Sequence, residues 1–195
     1  MGAGPINSEV ARFLSVALPD LERFLVFDLS KKRAAELVAR VEGSLPGVAA
    51  EPADGLDEFL AQCSLVSFAT NAVEPHVQDL AVCLKGATIL LVSLRDLGPE
   101  AILAADNVVD DPDHLTRAQT SVHLAEQRTG SRDFIRCTLA QVLEGTAPPK
   151  PDPDAVTVFS PFGLGVLDLA LADHVLKLAR EGVLGLAVAS FLPEA

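Results

Sequence analysis

Short apolar runs alternate with amphipathic stretches along this chain, the alternation of a parallel α/β sheet flanked by helices. Pro5 suits the first turn of a helix, where its missing N–H costs nothing. Ile6, Val10, Phe13, Leu14 and Ala17 then recur at helical spacing as far as Pro19. Phe24-Leu25-Val26-Phe27 reads as a buried strand closed by Asp28. Ser30 is a good N-cap for a second helix with Ala34, Leu37, Val38 and Val41 on its apolar face. A weak strand over 47–51 and a short helix over 56–63 lead to a clear strand, Leu65-Val66-Ser67-Phe68-Ala69, followed by the polar pair Thr70-Asn71. A loop and a helix are expected before Thr88-Ile89-Leu90-Leu91-Val92, the strongest β run in the sequence.

Pro99 starts another short helix, and Asn107-Val108-Val109-Asp110 reads as one more strand. Helices are predicted over 121–128 and 132–144, separated by Thr129-Gly130, and residues 145–155 are a Pro- and Asp-rich loop. A last strand over 156–159 precedes a long helix over 164–180, with Leu167, Leu171, Val175 and Leu178 on one side. The expected fold is a Rossmann-like, doubly wound parallel sheet with helices on both faces. Residues 1–160 would form the nucleotide-binding domain and 161–195 a C-terminal helix and tail.

Composition narrows the function. The 195 residues suffice for one ordinary core, and a 49% hydrophobic content excludes a disordered, solvating chain. The net charge of −12 argues against general binding to nucleic acid or to anionic membranes. No apolar run reaches the roughly 18 residues that cross a bilayer, and Met-Gly-Ala-Gly at the start predicts neither a signal peptide nor a lipid anchor. Cys63, Cys83 and Cys137 are odd in number and far apart, the pattern of reduced thiols in a cytoplasmic protein rather than a disulfide scaffold or a zinc site.

The first candidate motif is Gly2-Ala3-Gly4-Pro5-Ile6-Asn7, of the form G-x-G-x-x-N at a helix start. The first glycine permits a tight turn, and the second lets backbone approach a pyrophosphate on the helix N-terminus. Asn7 replaces the third glycine, which normally serves close helix–strand packing. Asp28, at the end of the next strand, stands where an acid binds the adenosine ribose hydroxyls; the alternative is a solvated strand-end turn. Together they point to NAD. A carboxylate repels a 2′-phosphate, although Lys31, Lys32 and Arg33 keep NADP open, and Arg33 is placed to cover the adenine face.

Other polar groups collect at predicted strand ends. Thr70 and Asn71 lie at the carboxyl edge, where such sheets bind ligands, and Ser93-Leu94-Arg95-Asp96 follows the next strand on the same edge. Arg95 beside Asp96 suits either a substrate carboxylate and a proton shuttle or a local ion pair in a βα loop. Asp110, Asp111, Asp113 and His114 are broken by Pro112 and lack metal-ligand spacing, so no metal is expected. His76, His123 and His174 read as structural or solvent-facing. Neither a Gly-x-Ser-x-Gly elbow nor a Walker loop is present.

In these residues the sequence resembles the ornithine cyclodeaminase/mu-crystallin family, with its closest likeness to the dehydrogenase branch of 2,3-diaminopropionate biosynthesis. The likeness rests on Gly2–Asn7, Ser67–Thr70, Ser93–Leu97, Ala105–Asp111, His123–Gln127 and Phe159–Asp168. It implies an NAD-dependent enzyme that takes hydride from the glutamate α-carbon of N-(2-amino-2-carboxyethyl)-L-glutamate. Hydrolysis of the imine then releases 2,3-diaminopropionate and 2-oxoglutarate for a siderophore or peptide product.

Carried over by position, Gly2, Gly4, Pro5, Ile6 and Asn7 hold the pyrophosphate and Asp28 the ribose. Thr70 and Ser93, with Asn71 and Leu94 beside them, hold the nicotinamide half, and Ser160 lies where the chain passes it. Asp96, with Arg95 beside it, falls near the family's catalytic aspartate as a proton relay.

The resemblance further implies a homodimer. It also implies an N-terminal portion carrying most of the substrate domain, the dimer interface and the basic residues that grip substrate carboxylates, with a first strand directly before Gly2. Neither lies within these residues, so the expectation is a truncated chain with weak or no turnover and two unpaired strand edges in mid-sheet. The sheet closes up, a partner supplies the strand, or the chain is a fragment. Ornithine cyclodeaminase activity and a non-catalytic NAD-binding remnant are the alternatives.

Overall fold

Parallel pairing of short strands builds the molecule, in a computed structural model that describes residues 1–186 and 188. The chain divides into two compact units, Met1–Phe162 and Gly163–Ala195.

In the first unit, helix α1 (Pro5–Ala17) leads to strand β1 (Arg23–Val26), helix α2 (Lys31–Ser44) and strand β2 (Ala49–Pro52). Helix α3 (Leu56–Gln62) and strand β3 (Leu65–Phe68) follow, then strand β4 (Thr88–Leu91), helix α4 (Pro99–Leu103) and strand β5 (Asp106–Val109). Helices α5 (Pro112–Leu115) and α6 (Ser121–Thr129), strand β6 (Ile135–Thr138), helix α7 (Leu139–Leu143) and strand β7 (Thr157–Ser160) complete it. Helix α8 (Gly165–Glu181) belongs to the second unit.

The strands form two sheets, β1-β2 and β3-β4-β7-β5-β6, and every pair is parallel. The sheet therefore does not close up between β1 and β3. One core cluster centres on Phe59, Leu60, Val66, Phe68, Ile89 and Val158, and a second on Ala11, Val26, Ala34, Leu37 and Val41.

Two expectations fail, both where tertiary partners decide. Residues 132–144 are not one helix: Ile135–Thr138 is a strand, and Thr138 then caps α7 in a capping box with Gln141. β6 pairs with β5 with a register shift that sets Asn107 against Ile135 and Val108 against Cys137, passing over Arg136. Arg136 closes on Asp106, with Nε 2.5 Å from Oδ1 and an Nη atom 3.0 Å from Oδ2. No helix lies between β3 and β4. That segment is a loop held by a bridge from Val77 to Leu97, with Val77 and Leu80 buried in the core.

The acidic cluster is local backbone chemistry. The Asp111 carboxylate caps α5 by accepting from the Asp113 and His114 N–H groups, and the Asp110 carboxylate accepts from Phe162 N–H. Backbone donors to the Asp111 carboxylate, that of His114 first, hold its pKa below the usual range. Cys63, Cys83 and Cys137 are free thiols, and burial pushes Cys63 and Cys83 up.

Candidate functional site

The carboxyl ends of β1 and β3, with the turn before α1, surround a cavity of about 660 Å³. That volume lies in the range of small-molecule and cofactor sites, and the place is the edge where ligands bind in open parallel sheets. Gly2, Gly4, Pro5, Ile6, Asp28 and Arg33 line one side, and Thr70, Asn71 and His76 the other.

The turn is tied down from several directions. Gly2 has φ +87°, and a Cβ there would lie 2.5 Å from the Ala69 carbonyl oxygen. Glycine is therefore required both for the backbone and for the close approach. Asp28 is almost enclosed, and its carboxylate accepts from Ala3 N–H and Ser30 N–H, each at 2.8 Å. Arg33 Nε is 3.8 Å from Asp28 Oδ2. Asp28 thus joins the loop to the start of α2 while lining the cavity. Gly4 is the N-cap of α1, with no side-chain cap and no acid in the first turn. The uncapped N–H groups and the positive dipole end of α1 are left for an anion.

Asn7 does different work from the ligand contact expected of it. It is buried, donates to Met1 O and Gly2 O at 2.6 Å each, and accepts from Ser67 Oγ at 2.7 Å. It clips the glycine turn to β3 from behind, so where a third glycine would pack by its smallness, Asn7 packs by hydrogen bonding.

Asp96 is wholly buried and accepts from Thr70 Oγ1 at 2.5 Å and from Ser93 Oγ. His76 Nε2 lies 3.2 Å from Asp96 Oδ1, and the Asp96 carbonyl accepts from the His76 and Val77 N–H groups. Asp96 does not line the cavity; Thr70 and His76 stand between it and the ligand space. Arg95 turns the other way. Its guanidinium donates to Val73 O and Ala118 O, so neither the expected ion pair with Asp96 nor a place on the cavity wall is found.

Ser93, Leu94 and Ser160 gather in a separate space of about 10 Å³ beside Ser121, where the Ser121 and Ser160 hydroxyls are buried without a hydrogen-bond partner. These three expected cofactor contacts therefore do not line the main cavity. His76 is the site residue that sequence reasoning missed. Its signal was its place in a loop leaving a strand's carboxyl edge, but nothing local foretold the pairing with Asp96. Among the described residues, no group of three or more His, Cys, Asp or Glu side chains is arranged to hold a metal ion. No helix among the described residues is long and apolar enough to cross a membrane.

No family model matches the chain. It is 23% identical over 187 residues to N-((2S)-2-amino-2-carboxyethyl)-L-glutamate dehydrogenase of Staphylococcus aureus, covering 95% of this chain and 55% of that protein. Δ1-pyrroline-2-carboxylate reductase of Thermococcus litoralis, solved with NADH and L-proline, superposes with TM-score 0.86 at 21% identity, over 96% of this chain and 59% of that one. A probable ornithine cyclodeaminase from Bordetella pertussis superposes with TM-score 0.76 at 25% identity, over 95% of this chain and 60% of that one. Its homologues and structural neighbours are members of the ornithine cyclodeaminase/mu-crystallin family. That family consists of NAD(P)-dependent amino-acid dehydrogenases and cyclodeaminases. The chain spans about half the length of the relatives it matches, and the fold it shares with them is the Rossmann-like NAD-binding fold.

Proposed function

We propose that residues 1–160 form the NAD-binding part of a dehydrogenase acting on an amino-acid conjugate, with N-(2-amino-2-carboxyethyl)-L-glutamate as substrate. The observation that carries this reading is the Gly2 turn, the uncapped N-terminus of α1 and the Asp28 carboxylate on one wall of a single cavity. In this reading the pyrophosphate lies over Gly4, Pro5 and Ile6, and Asp28 accepts from the adenosine ribose hydroxyls. Arg33 flanks the adenine, and Thr70 and Asn71 border the nicotinamide half. When bound, NAD supplies the acceptor for hydride from the substrate α-carbon. The oxidised C–N bond is then hydrolysed, giving 2,3-diaminopropionate and 2-oxoglutarate.

Asp96 is too deeply buried to touch substrate in this arrangement. Its contribution runs through Thr70 and His76, whose side chains it orients toward the cavity. His76 is the group placed to exchange a proton with the substrate nitrogen or the attacking water. The homodimer implied by the resemblance belongs to the same proposal and is checked by analytical ultracentrifugation.

Incubating the chain with NAD and the conjugate tests the reaction. Accumulating NADH supports the dehydrogenase, and proline formed from ornithine without net NADH supports a cyclodeaminase. NAD binding with neither product leaves a non-catalytic module.

Asp28→Asn tests cofactor binding separately. Asn keeps one acceptor for the loop but loses the charge, and charge-assisted hydrogen bonds contribute about 1.5–3 kcal/mol. NADH affinity is expected to fall about tenfold or more, with NADPH less affected, read from dihydronicotinamide fluorescence. The chain has neither Trp nor Tyr to interfere. Unchanged NADH affinity would remove Asp28 from the ribose site.

A further inference from the structure

The cavity has two electrically unlike sides. On one, Gly4, Pro5 and Ile6 bring the uncapped start of α1 to the wall, with no acid in its first turn. Arg33 lines the same side and leans on Asp28, whose carboxylate the Ala3 and Ser30 N–H groups already hold. N–H donors and a guanidinium therefore set the character of this side. Among the described residues lining the cavity, Arg33 is the only Lys or Arg.

The other side carries Thr70, Glu74 and His76, with Asp96 wholly buried behind Thr70 and His76. Two hydroxyls, Thr70 Oγ1 at 2.5 Å and Ser93 Oγ, donate to the Asp96 carboxylate. Thr70 Oγ1 also accepts from Ala72 N–H at 3.1 Å. Its single proton is thus committed to Asp96, and it can offer a ligand only a lone pair. The exposed Glu74 adds a second carboxylate to this side. Arg95, next to Asp96 in sequence, sends its guanidinium away to Val73 O and Ala118 O, outside the cavity wall.

We infer that Asp96 and Glu74 set which redox form of the dinucleotide the cavity prefers, favouring oxidised NAD over NADH. The preference rests on the proposed placing of the nicotinamide half beside Thr70. The two forms share the adenosine, both riboses and the pyrophosphate, so the side with Gly4 and Arg33 treats them alike. They differ in the ring, a positively charged pyridinium when oxidised and an uncharged ring when reduced. Only charges near the ring tell them apart. A carboxylate in water is screened, whereas a wholly buried one acts across a wall of low dielectric. Asp96 therefore carries most of the discrimination without touching the ligand, and Glu74, in solvent, the smaller part. Hydride transfer to the ring removes its charge, so the reduced form is held less tightly and leaves more readily.

Dissociation constants of oxidised NAD, NADH and ADP-ribose test this at about pH 8, above the ordinary histidine range. NADH is followed by its own fluorescence and the other two by displacing it. Asp96→Asn keeps the size of the side chain and removes the charge. It is expected to weaken oxidised NAD by about fivefold or more relative to NADH, with ADP-ribose unchanged. Glu74→Gln should shift the ratio the same way by about twofold, and less at high salt. An unchanged ratio in Asp96→Asn overturns the inference. So does an equal loss of all three ligands, which marks a deformed cavity rather than a missing charge. If Asp96→Asn does not fold, Glu74→Gln decides, and an unchanged ratio there overturns it. Failure of the parent chain to bind any of the three removes the dinucleotide reading itself, and the preference with it.

Discussion

Gly2→Ala is expected to destabilise the chain by about 2–4 kcal/mol and to abolish measurable NADH binding. Two costs add. The φ of +87° lies in the left-handed region, where a non-glycine residue is strained by about 1–3 kcal/mol. The new Cβ also falls 2.5 Å from the Ala69 carbonyl oxygen, a backbone atom that cannot swing aside as a side chain would. Ala69 is itself held by its N–H bond to Met1 O at 3.1 Å. Relief therefore requires the turn to move, which draws Ala3 N–H from Asp28 and displaces the start of α1. Gly4→Ala is the control. Gly4 has φ −91°, and a Cβ there meets nothing nearer than an Arg33 guanidinium nitrogen at 3.9 Å. Its stability should be that of the parent, with NADH affinity reduced only where the ligand must approach the backbone. Urea denaturation midpoints and NADH titrations of both variants decide. A Gly2→Ala chain as stable as the parent would sink the argument.

Asp106→Ala is expected to cost about 3–5 kcal/mol, the usual consequence of leaving one member of a buried ion pair alone. Asp106 accepts two bonds from Arg136 and one from Thr157 Oγ1 at 3.0 Å, and both charged side chains are largely buried, at 2% and 16% exposure. At about 2–4 °C per kcal/mol for a chain of this size, Tm should fall by on the order of 10 °C. Asp106→Leu combined with Arg136→Met should recover most of the loss, because both charges then leave the interior.

Acid gives an independent check. Burial alone would raise the Asp106 pKa, but the Arg136 and Thr157 hydrogen bonds outweigh it and hold the carboxyl below its ordinary value. A depressed folded pKa contributes stability that is present above the unfolded value, about 4, and is lost as pH falls through the folded one. The parent should lose stability more steeply than the double variant below pH 4. Parallel acid-denaturation curves would contradict this.

The same pair explains the main misreading of the sequence. Between residues 132 and 144 the apolar positions fit a helix, and nothing local marks Arg136 as the partner of a residue on another strand. Pairing with β5 and the ion pair with Asp106 override the helical spacing. The segment before β4 fails in the same way, since Val77 and Leu80 find burial in a loop by packing on a core assembled from distant strands. Elsewhere the local pattern sufficed. β1, β3, β4, β5 and β7 are short apolar runs with turn residues beside them, and α1 and α2 carry one apolar stripe each with a recognisable start at Pro5 and Ser30.

The candidate site divides along the same line. The glycine turn and Asp28 were legible because a tight turn opening a helix and an acid closing a strand are each marked by the residues beside them, although the Ala3–Asp28 bond that joins the two spans 25 residues. The neighbours Arg95 and Asp96 were not: one reaches outward to two loop carbonyls and the other inward to Thr70, Ser93 and His76.

Sequence by itself determined the alternation of strand and helix, the acidic net charge and the two separate signals at the glycine turn and at Asp28, because each depends on residues close in the chain. Tertiary structure alone decided that Asn7 faces inward, that Asp96 is buried against Thr70, Ser93 and His76, and that β1 and β3 do not pair with each other. Those outcomes depend on which segments meet across the fold, where burial and hydrogen-bond satisfaction outweigh local preference.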